Sequence, residues 1–150
     1  MSTFESSIRQ IPYPQQSVYD RLSDLSNLQK LKERFEMMKD SMPEEARKQA
    51  EAIQDLTFDS DSMSVNVPPV GNIQLRIVDR DEPKCIKFET EQSPIPFNFW
   101  IQILPVTASS SKMKLTIKAD INPFIKQMVK KPLQEGIEKI ADVLQMIQYN

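Results

Sequence analysis

The C-terminal segment from Pro123 to Gln148 constrains the fold more than any other part of the chain. Its apolar and small residues recur at helical spacing and form one broad arc: Ile125, Val129, Leu133, Gly136, Ile137, Ile140, Ala141, Val143, Leu144 and Ile147. The opposite side carries Glu135, Glu138, Lys139, Asp142 and Gln145. Asn122 can cap the start of such a helix, and Pro123 suits its first position, where no amide donor is needed. So wide an arc predicts one long helix lying on a large apolar surface.

Length and charge place the chain among ordinary soluble proteins. A chain of 150 residues is long enough to bury a core, and we expect one domain spanning residues 1–150. The net charge of −2, with scattered lysines and arginines, gives no reason to expect nucleic acid as a partner. The N-terminus lacks the apolar stretch of a signal peptide, and no run of residues approaches the length of a membrane span. Together with a single cysteine, these features predict a cytoplasmic protein without membrane insertion.

The sequence contains no histidine. General acid–base chemistry on histidine, Ser-His-Asp or Cys-His nucleophile pairs and histidine-ligated metals are therefore excluded. With one cysteine, a zinc site built from thiolates is excluded as well. We expect neither a metal nor a cofactor, and whether the protein is an enzyme stays open, with the balance against it.

The first third of the chain reads as one strand followed by helices. Residues 3–11 alternate, with Phe4, Ser6 and Ile8 on one face, which is typical of a half-buried strand. Helical spacing of apolar residues then predicts helices over 17–25 and 27–38. A cap, an early proline and acidic residues after Ser41 predict a third helix to about Gln54.

The middle of the chain alternates with period two and is broken by short turns. The predicted strands cover residues 56–58, 62–67, 73–77, 86–91, 97–103 and 112–119. Short connections favour antiparallel pairing of consecutive strands. Each strand has one apolar face, so the sheet is covered on one side only, and the C-terminal helix is the segment long enough to cover it.

This order of elements resembles the helix-grip fold of the START-like (SRPBCC) superfamily, which includes birch-pollen-allergen proteins, START lipid-transfer domains and polyketide cyclase-like proteins. The resemblance lies in three segments: STFESSIRQIPYPQQSVYDRLSDLSNL, FETEQSPIPFNFWIQI and KADINPFIKQMVKKPLQEGIEKIADVL. It implies an α+β domain in which a curved antiparallel sheet wraps around the long C-terminal helix. The chain departs from many members by a helical insert at about residues 37–54 and by having few glycines.

The resemblance also implies a cavity between sheet and helix that binds a hydrophobic small molecule or lipid. Some relatives have instead become protein-interaction modules, including co-chaperones, and cyclase-like catalysis is a third use of the fold. The candidate ligand-binding residues face this space: Phe88, Phe97, Phe99, Ile101, Met113, Leu115, Ile117, Leu133, Gly136 and Ile140. Because apolar pockets and solid cores have the same composition, the sequence leaves open whether this space is a cavity.

Two outward-facing residues have alternative interpretations. Trp100 lies among polar neighbours, which predicts either a homodimer contact or a cover supplied by another part of the chain. Cys85 has lysines nearby that would favour a thiolate. It lacks a partner base, so we expect an inert thiol.

Overall fold

The computed structural model of the protein describes residues 2–44, 47, 56–67, 71–93, 95–147 and 149. The strands are β1 (Ser2–Glu5), β2 (Arg9–Ile11), β3 (Leu56–Phe58), β4 (Ser62–Val67), β5 (Gly71–Asp81), β6 (Cys85–Gln92), β7 (Phe97–Thr107) and β8 (Ser110–Ala119). The helices are α1 (Gln15–Leu22), α2 (Ser26–Met38) and α3 (Pro123–Met146). A turn of 3-10 helix, Lys39–Ser41, follows α2.

The strands form one eight-stranded sheet in the order β1-β8-β7-β6-β5-β4-β3, and β2 also pairs with β8. All the pairings are antiparallel. Alternation places the apolar side chains of neighbouring strands side by side; Phe99, for example, lies between Phe88 and Ile117. The predicted antiparallel sheet under a C-terminal helix is confirmed.

Three strands extend beyond their predicted ends. β5 continues to Asp81, β7 continues to Thr107 and β8 begins at Ser110. In β5 and β7 the added residues are exposed. Period-two burial marks only the part of a strand that lies over the core, whereas a hairpin ladder continues into solvent through backbone hydrogen bonds.

The edge of the sheet contains a bulge between β1 and β2. Glu5 pairs with Thr116 and Arg9 pairs with Met113, so residues 6–8 lie opposite only two residues of β8. One extra residue in a strand reverses the alternation of all the side chains that follow it.

This bulge corrects the predicted single strand over residues 3–11. Phe4 and Ser6 are buried as expected, but the expectation that Ile8 shares their face is wrong, because Ile8 is 59% exposed. Beyond the bulge, Ile11 is buried in the core and Arg9 reaches α3.

Helix α3 begins as the sequence predicts. Pro123 is its first residue, and the side-chain oxygen of Asn122 accepts a hydrogen bond from the N–H of Ile125 at 2.9 Å. The buried side chains of the helix start at Val129 and follow the predicted arc: Val129, Leu133, Ile137, Ile140, Ala141, Val143 and Leu144. The first member of that arc, Ile125, is 39% exposed, so the arc is wrong at this position. The sheet covers only the later part of the helix.

Helices α1 and α2 lie at one end of the sheet. Val18 and Leu22 of α1 are fully buried, and the amide of Gln15 donates to the carbonyl of Ile103 at 2.8 Å. In α2 the ammonium of Lys32 donates to the carbonyl of Leu56 at 2.6 Å. The predicted helix from Ser41 to Gln54 falls largely outside the described residues.

The buried side chains form one cluster that extends along the chain from Phe4 to Tyr149. None of the described helices is long and apolar enough to cross a membrane.

Candidate functional site

A small apolar cavity lies between the sheet and the middle of α3. The side chains around it come from β4, β5, β7, β8 and α3: Val65, Ile73, Leu75, Phe97, Phe99, Ile117, Leu133, Gly136, Ile137 and Ile140. Its volume is about 20 Å³. A cavity needs roughly 10–15 Å³, measured in this way, to hold one water molecule. This cavity, as the described residues form it, therefore has room for about one water molecule.

Most of the candidate ligand-binding residues meet at this cavity. Six of them line it: Phe97, Phe99, Ile117, Leu133, Gly136 and Ile140. Phe88, Ile101, Met113 and Leu115 are also buried, but they lie in the core outside the lining of this cavity. Phe88 supports the lining from the side, because its ring packs edge-on against Phe99 with the centroids 5.3 Å apart.

Four residues of the lining were not among the sequence candidates: Val65, Ile73, Leu75 and Ile137. The same alternation that selected the candidates on β7 and β8 also marks Val65, Ile73 and Leu75 as inward-facing. Their position across the sheet from Phe97 depends on the strand order, which period-two patterning does not specify.

The polar side of α3 binds the bulged edge of the sheet through charged groups. Arg9 forms ion pairs with both Glu138 and Asp142. Glu138 also accepts hydrogen bonds from Ser7, at 2.6 Å from the backbone N–H and 3.2 Å from the hydroxyl. We call these four residues, Ser7, Arg9, Glu138 and Asp142, the edge clasp. The sequence predicts the side of the helix on which Glu138 lies, but it does not predict that this side contacts the edge of the sheet.

The edge clasp shifts the pKa values of two of its members, Arg9 and Glu138, which are both partly buried. Burial alone would raise the pKa of Glu138, but the hydrogen bonds from Ser7 and the guanidinium of Arg9 outweigh it and hold that pKa below its ordinary value. Burial likewise would lower the pKa of Arg9, but Asp142 and Glu138 outweigh it and raise that pKa. Both shifts favour the charged pair that joins helix to sheet.

Further contacts fix the later part of α3. The amide of Gln134 donates to the carbonyl of Glu5 at 2.8 Å, and the amide of Gln145 donates to the carbonyl of Gln10 at 3.2 Å. These contacts satisfy carbonyls of the edge strands, which would otherwise be open to pairing with another chain. Beyond the helix, buried Tyr149 donates its hydroxyl to the carbonyl of Leu144 at 2.6 Å, and burial raises the pKa of this tyrosine.

The first part of α3 is exposed. Every residue from Pro123 to Met128 is exposed, including Phe124 at 80% and Met128 at 67%. The helix is thus attached to the sheet from Val129 onward, and the cavity lies near the beginning of the attached part.

The aromatic ring of Trp100 lies on the outer face of the sheet between two lysines. The ammonium of Lys87 is 5.6 Å from the ring centroid and that of Lys118 is 5.7 Å away. Both distances fall within the range of cation–π attraction. The two lysines come from the strands on either side of β7 and partly cover the ring.

The thiol of Cys85 is half-buried. Burial raises its pKa, and the carboxylates of Asp81 and Asp79 raise it further. The predicted effect of nearby lysines is therefore outweighed, and the thiol is protonated at neutral pH.

The lining of the cavity is apolar. Among the described residues it consists of apolar side chains and one glycine. Within the described part of the chain, no group of His, Cys, Asp or Glu residues is placed to hold a metal ion.

The fold is that of the START-like superfamily. No protein-family model matches the sequence, and no curated protein matches it. Among solved structures, the chain is similar to a START superfamily protein from Mycobacterium smegmatis, with a TM-score of 0.62 and 12% identity over 95% of this chain and 94% of that one. At this identity the likeness establishes the helix-grip fold, in which a curved antiparallel sheet holds a long C-terminal helix.

The norcoclaurine synthase of Thalictrum flavum has a similar structure. A truncated form gives a TM-score of 0.61 and 11% identity over 96% of this chain and 91% of that one. The same enzyme in complex with dopamine and hydroxybenzaldehyde gives a TM-score of 0.58 and 11% identity, over 96% of this chain and 84% of that one.

Proposed function

We propose that the protein binds a hydrophobic small molecule or lipid between the sheet and α3. The observation that carries this proposal is the cavity between the sheet and the middle of α3, whose described lining is apolar. Gly136 lies in its lining, so one position of the helix presents no side chain to the sheet. A fold of this class with bound aromatic molecules, the synthase with dopamine and hydroxybenzaldehyde, lends further support.

Binding requires the cavity to expand, because about 20 Å³ is far below the ~300–1,000 Å³ of ordinary ligand sites. The residues of α3 that line the cavity, from Leu133 to Ile140, must therefore shift away from the sheet. The preceding part of the helix, from Pro123 to Met128, buries no side chain and does not oppose that shift. The edge clasp opposes it, because Glu138 lies between the lining residues Ile137 and Ile140.

The uncharged fluorescent probe N-phenyl-1-naphthylamine tests the proposal. Its fluorescence should rise on binding to the wild-type protein. Leu133→Ala enlarges the cavity and should bind the probe more tightly, at a cost of about 2–5 kcal/mol in stability. Gly136→Leu fills the cavity and should abolish binding. Lys130→Ala, at an exposed position of α3, is the matched control and should bind like wild type.

The second candidate is a protein-interaction module with a filled core. The small volume of the cavity favours it specifically. If wild type and Leu133→Ala both unfold cooperatively but neither binds the probe, the interaction module replaces the binding protein. Mass spectrometry under native and then denaturing conditions separates the two directly, because a bound small molecule adds mass only under native conditions.

Three further features belong to this proposal. The chain forms one domain over residues 1–150, which is supported by the single buried cluster from Phe4 to Tyr149. Homodimer formation through Trp100 stays a prediction. Two lysines of the same chain partly cover the ring, which reduces the surface that a second copy could contact. A cytoplasmic location without nucleic-acid partners remains the expectation from composition and charge.

A further inference from the structure

A second cleft lies on the outer face of the sheet, away from the cavity under α3. Its volume is about 330 Å³, at the lower end of the range for small-molecule sites. Residues of β6, β7, β8 and the bulge line it: Ile8, Lys84, Cys85, Gln102, Leu104, Lys112, Met113 and Lys114.

The cleft combines apolar surface with positive charge. Ile8 is 59% exposed and Leu104 48% exposed, and both line it. Three lysines line it as well, and none of the described residues in its lining carries a carboxylate. Of these lysines, Lys114 has Glu5 at 3.6 Å, a long contact between half-exposed groups that water screens.

The bulge brings the apolar and charged parts together. Because the bulge reverses alternation after Ser6, Ile8 turns to the outer face beside Lys112 and Lys114 of β8. Without it, this isoleucine would lie in the core and the cleft would lose one of its apolar walls.

One polar group adds a directed hydrogen-bond donor. The side-chain oxygen of Gln102 accepts from the buried hydroxyl of Thr116 at 3.1 Å. This bond fixes the amide, so its NH₂ group is left to donate within the cleft.

We propose that this cleft binds an amphipathic organic anion, a carboxylate carried on an apolar chain. The head group binds at Lys112 and Lys114, and the apolar chain lies along Ile8 and Leu104. At the opposite end of the cleft Lys84 lies next to Cys85, and the nearby carboxylates of Asp79 and Asp81 offset its attraction for the head group. The anionic end of the ligand therefore lies over β8, which supplies two of the three lysines.

Amide NMR spectra during titration with dodecanoate, below its micelle concentration, test this proposal. Shifts should concentrate at Ile8, Gln102, Leu104, Lys112 and Lys114. Dodecanol has the same chain without the charge, and acetate has the charge without the chain, so both should bind at least about tenfold more weakly. Added salt should weaken dodecanoate binding and leave dodecanol binding unchanged.

Matched variants separate the two parts of the cleft. Lys112→Gln should weaken dodecanoate binding by about two- to fivefold, as expected for one exposed charge pair. Ile8→Ser should weaken it without loss of stability, since this side chain is exposed. Lys130→Gln on α3 is the control and should have no effect.

Three results would overturn the proposal. Shifts confined to Phe99, Ile117 and Leu133 would show that dodecanoate enters the cavity under α3, which supports the proposed function but not this cleft. Equal binding of dodecanoate by Lys112→Gln and wild type would remove the role of charge. Tighter binding of an acidic peptide than of dodecanoate at the same residues would make the cleft a peptide site.

Discussion

Replacing Glu138 tests whether the edge clasp holds α3 on the sheet. In Glu138→Gln the side chain keeps its shape but loses its charge. Arg9, only 14% exposed, then keeps Asp142 alone as a charged partner, and that aspartate is 65% exposed. A lost hydrogen bond to a charged group costs about 1.5–3 kcal/mol. Because Glu138 is 32% exposed, we expect a loss near the lower end of that range.

The effect should depend on pH in a defined direction. The pKa of Glu138 is lower in the folded protein than in the unfolded chain. Its contribution to stability is therefore fully present above the unfolded pKa of about 4.3 and is lost as the pH falls through the lower folded value. Urea unfolding followed by circular dichroism should show the gap between wild type and Glu138→Gln closing in that window.

Glu135→Gln is the matched control, three residues earlier on the same helix. Glu135 forms an ion pair with Lys131 at 3.9 Å, and both side chains are largely exposed. Its loss should change stability by no more than about 0.5 kcal/mol at any pH. If Glu138→Gln behaves like this control, or if its deficit stays constant below about pH 4.3, the clasp does not stabilise the helix.

Four other changes test separate parts of the structure. Phe99→Ala should cost about 3–5 kcal/mol in denaturant unfolding, since Phe99 is fully buried; a loss below 1 kcal/mol would show that its surroundings collapse into the space. Tyr149→Phe should cost about 1–3 kcal/mol by leaving a buried carbonyl unpaired, and an unchanged unfolding midpoint would contradict this. Trp100→Lys should convert any dimer to monomer in sedimentation, and a wild-type protein that is monomeric at high concentration rules the dimer out. A fragment of residues 1–121 should be insoluble or lack a cooperative transition, because the apolar face of the sheet is uncovered.

The sequence predicts the sheet and α3 well because both bury one face over many residues. An error of one residue in the register of β7 would expose Phe97, Phe99, Ile101 and Ile103 together, so period two determines which side faces the core. The cap at Asn122 is a local rule that needs no tertiary information, and it is observed.

The bulge was not predicted, because Phe4, Ser6 and Ile8 continue a period-two pattern that is also typical of an uninterrupted strand. A signal was nevertheless present. The positions of Phe4 and Ile11 differ by seven, an odd number, so an uninterrupted strand cannot bury both on one face. Both are buried, and the bulge is what permits it. The sequence pattern thus indicates that this strand contains one extra residue, but it does not indicate where in the strand that residue lies.

The exposure of Ile125 and the volume of the cavity could not be predicted for the same reason, which is that both depend on tertiary packing. The apolar arc of α3 is longer than the part of the sheet that it covers, and periodicity within the helix carries no information on where the sheet ends. In the same way, the candidate residues specify an apolar lining but not the space left between side chains. Whether Leu133 meets Phe99 closely or across a gap depends on the packing of all the neighbours together.

The polar and buried contacts of α3 are concentrated in its later part. The clasp and Gln145 join this part to the edge strands, and buried Tyr149 donates to the carbonyl of Leu144. The residues from Pro123 to Met128 are exposed. The residues of α3 that line the cavity, from Leu133 to Ile140, include the turn that carries Glu138, so the clasp and the apolar packing hold the same stretch of helix on the sheet. The same bulge that brings Arg9 to the clasp turns Ile8 to the outer cleft, so one extra residue at the sheet edge shapes both faces of the sheet.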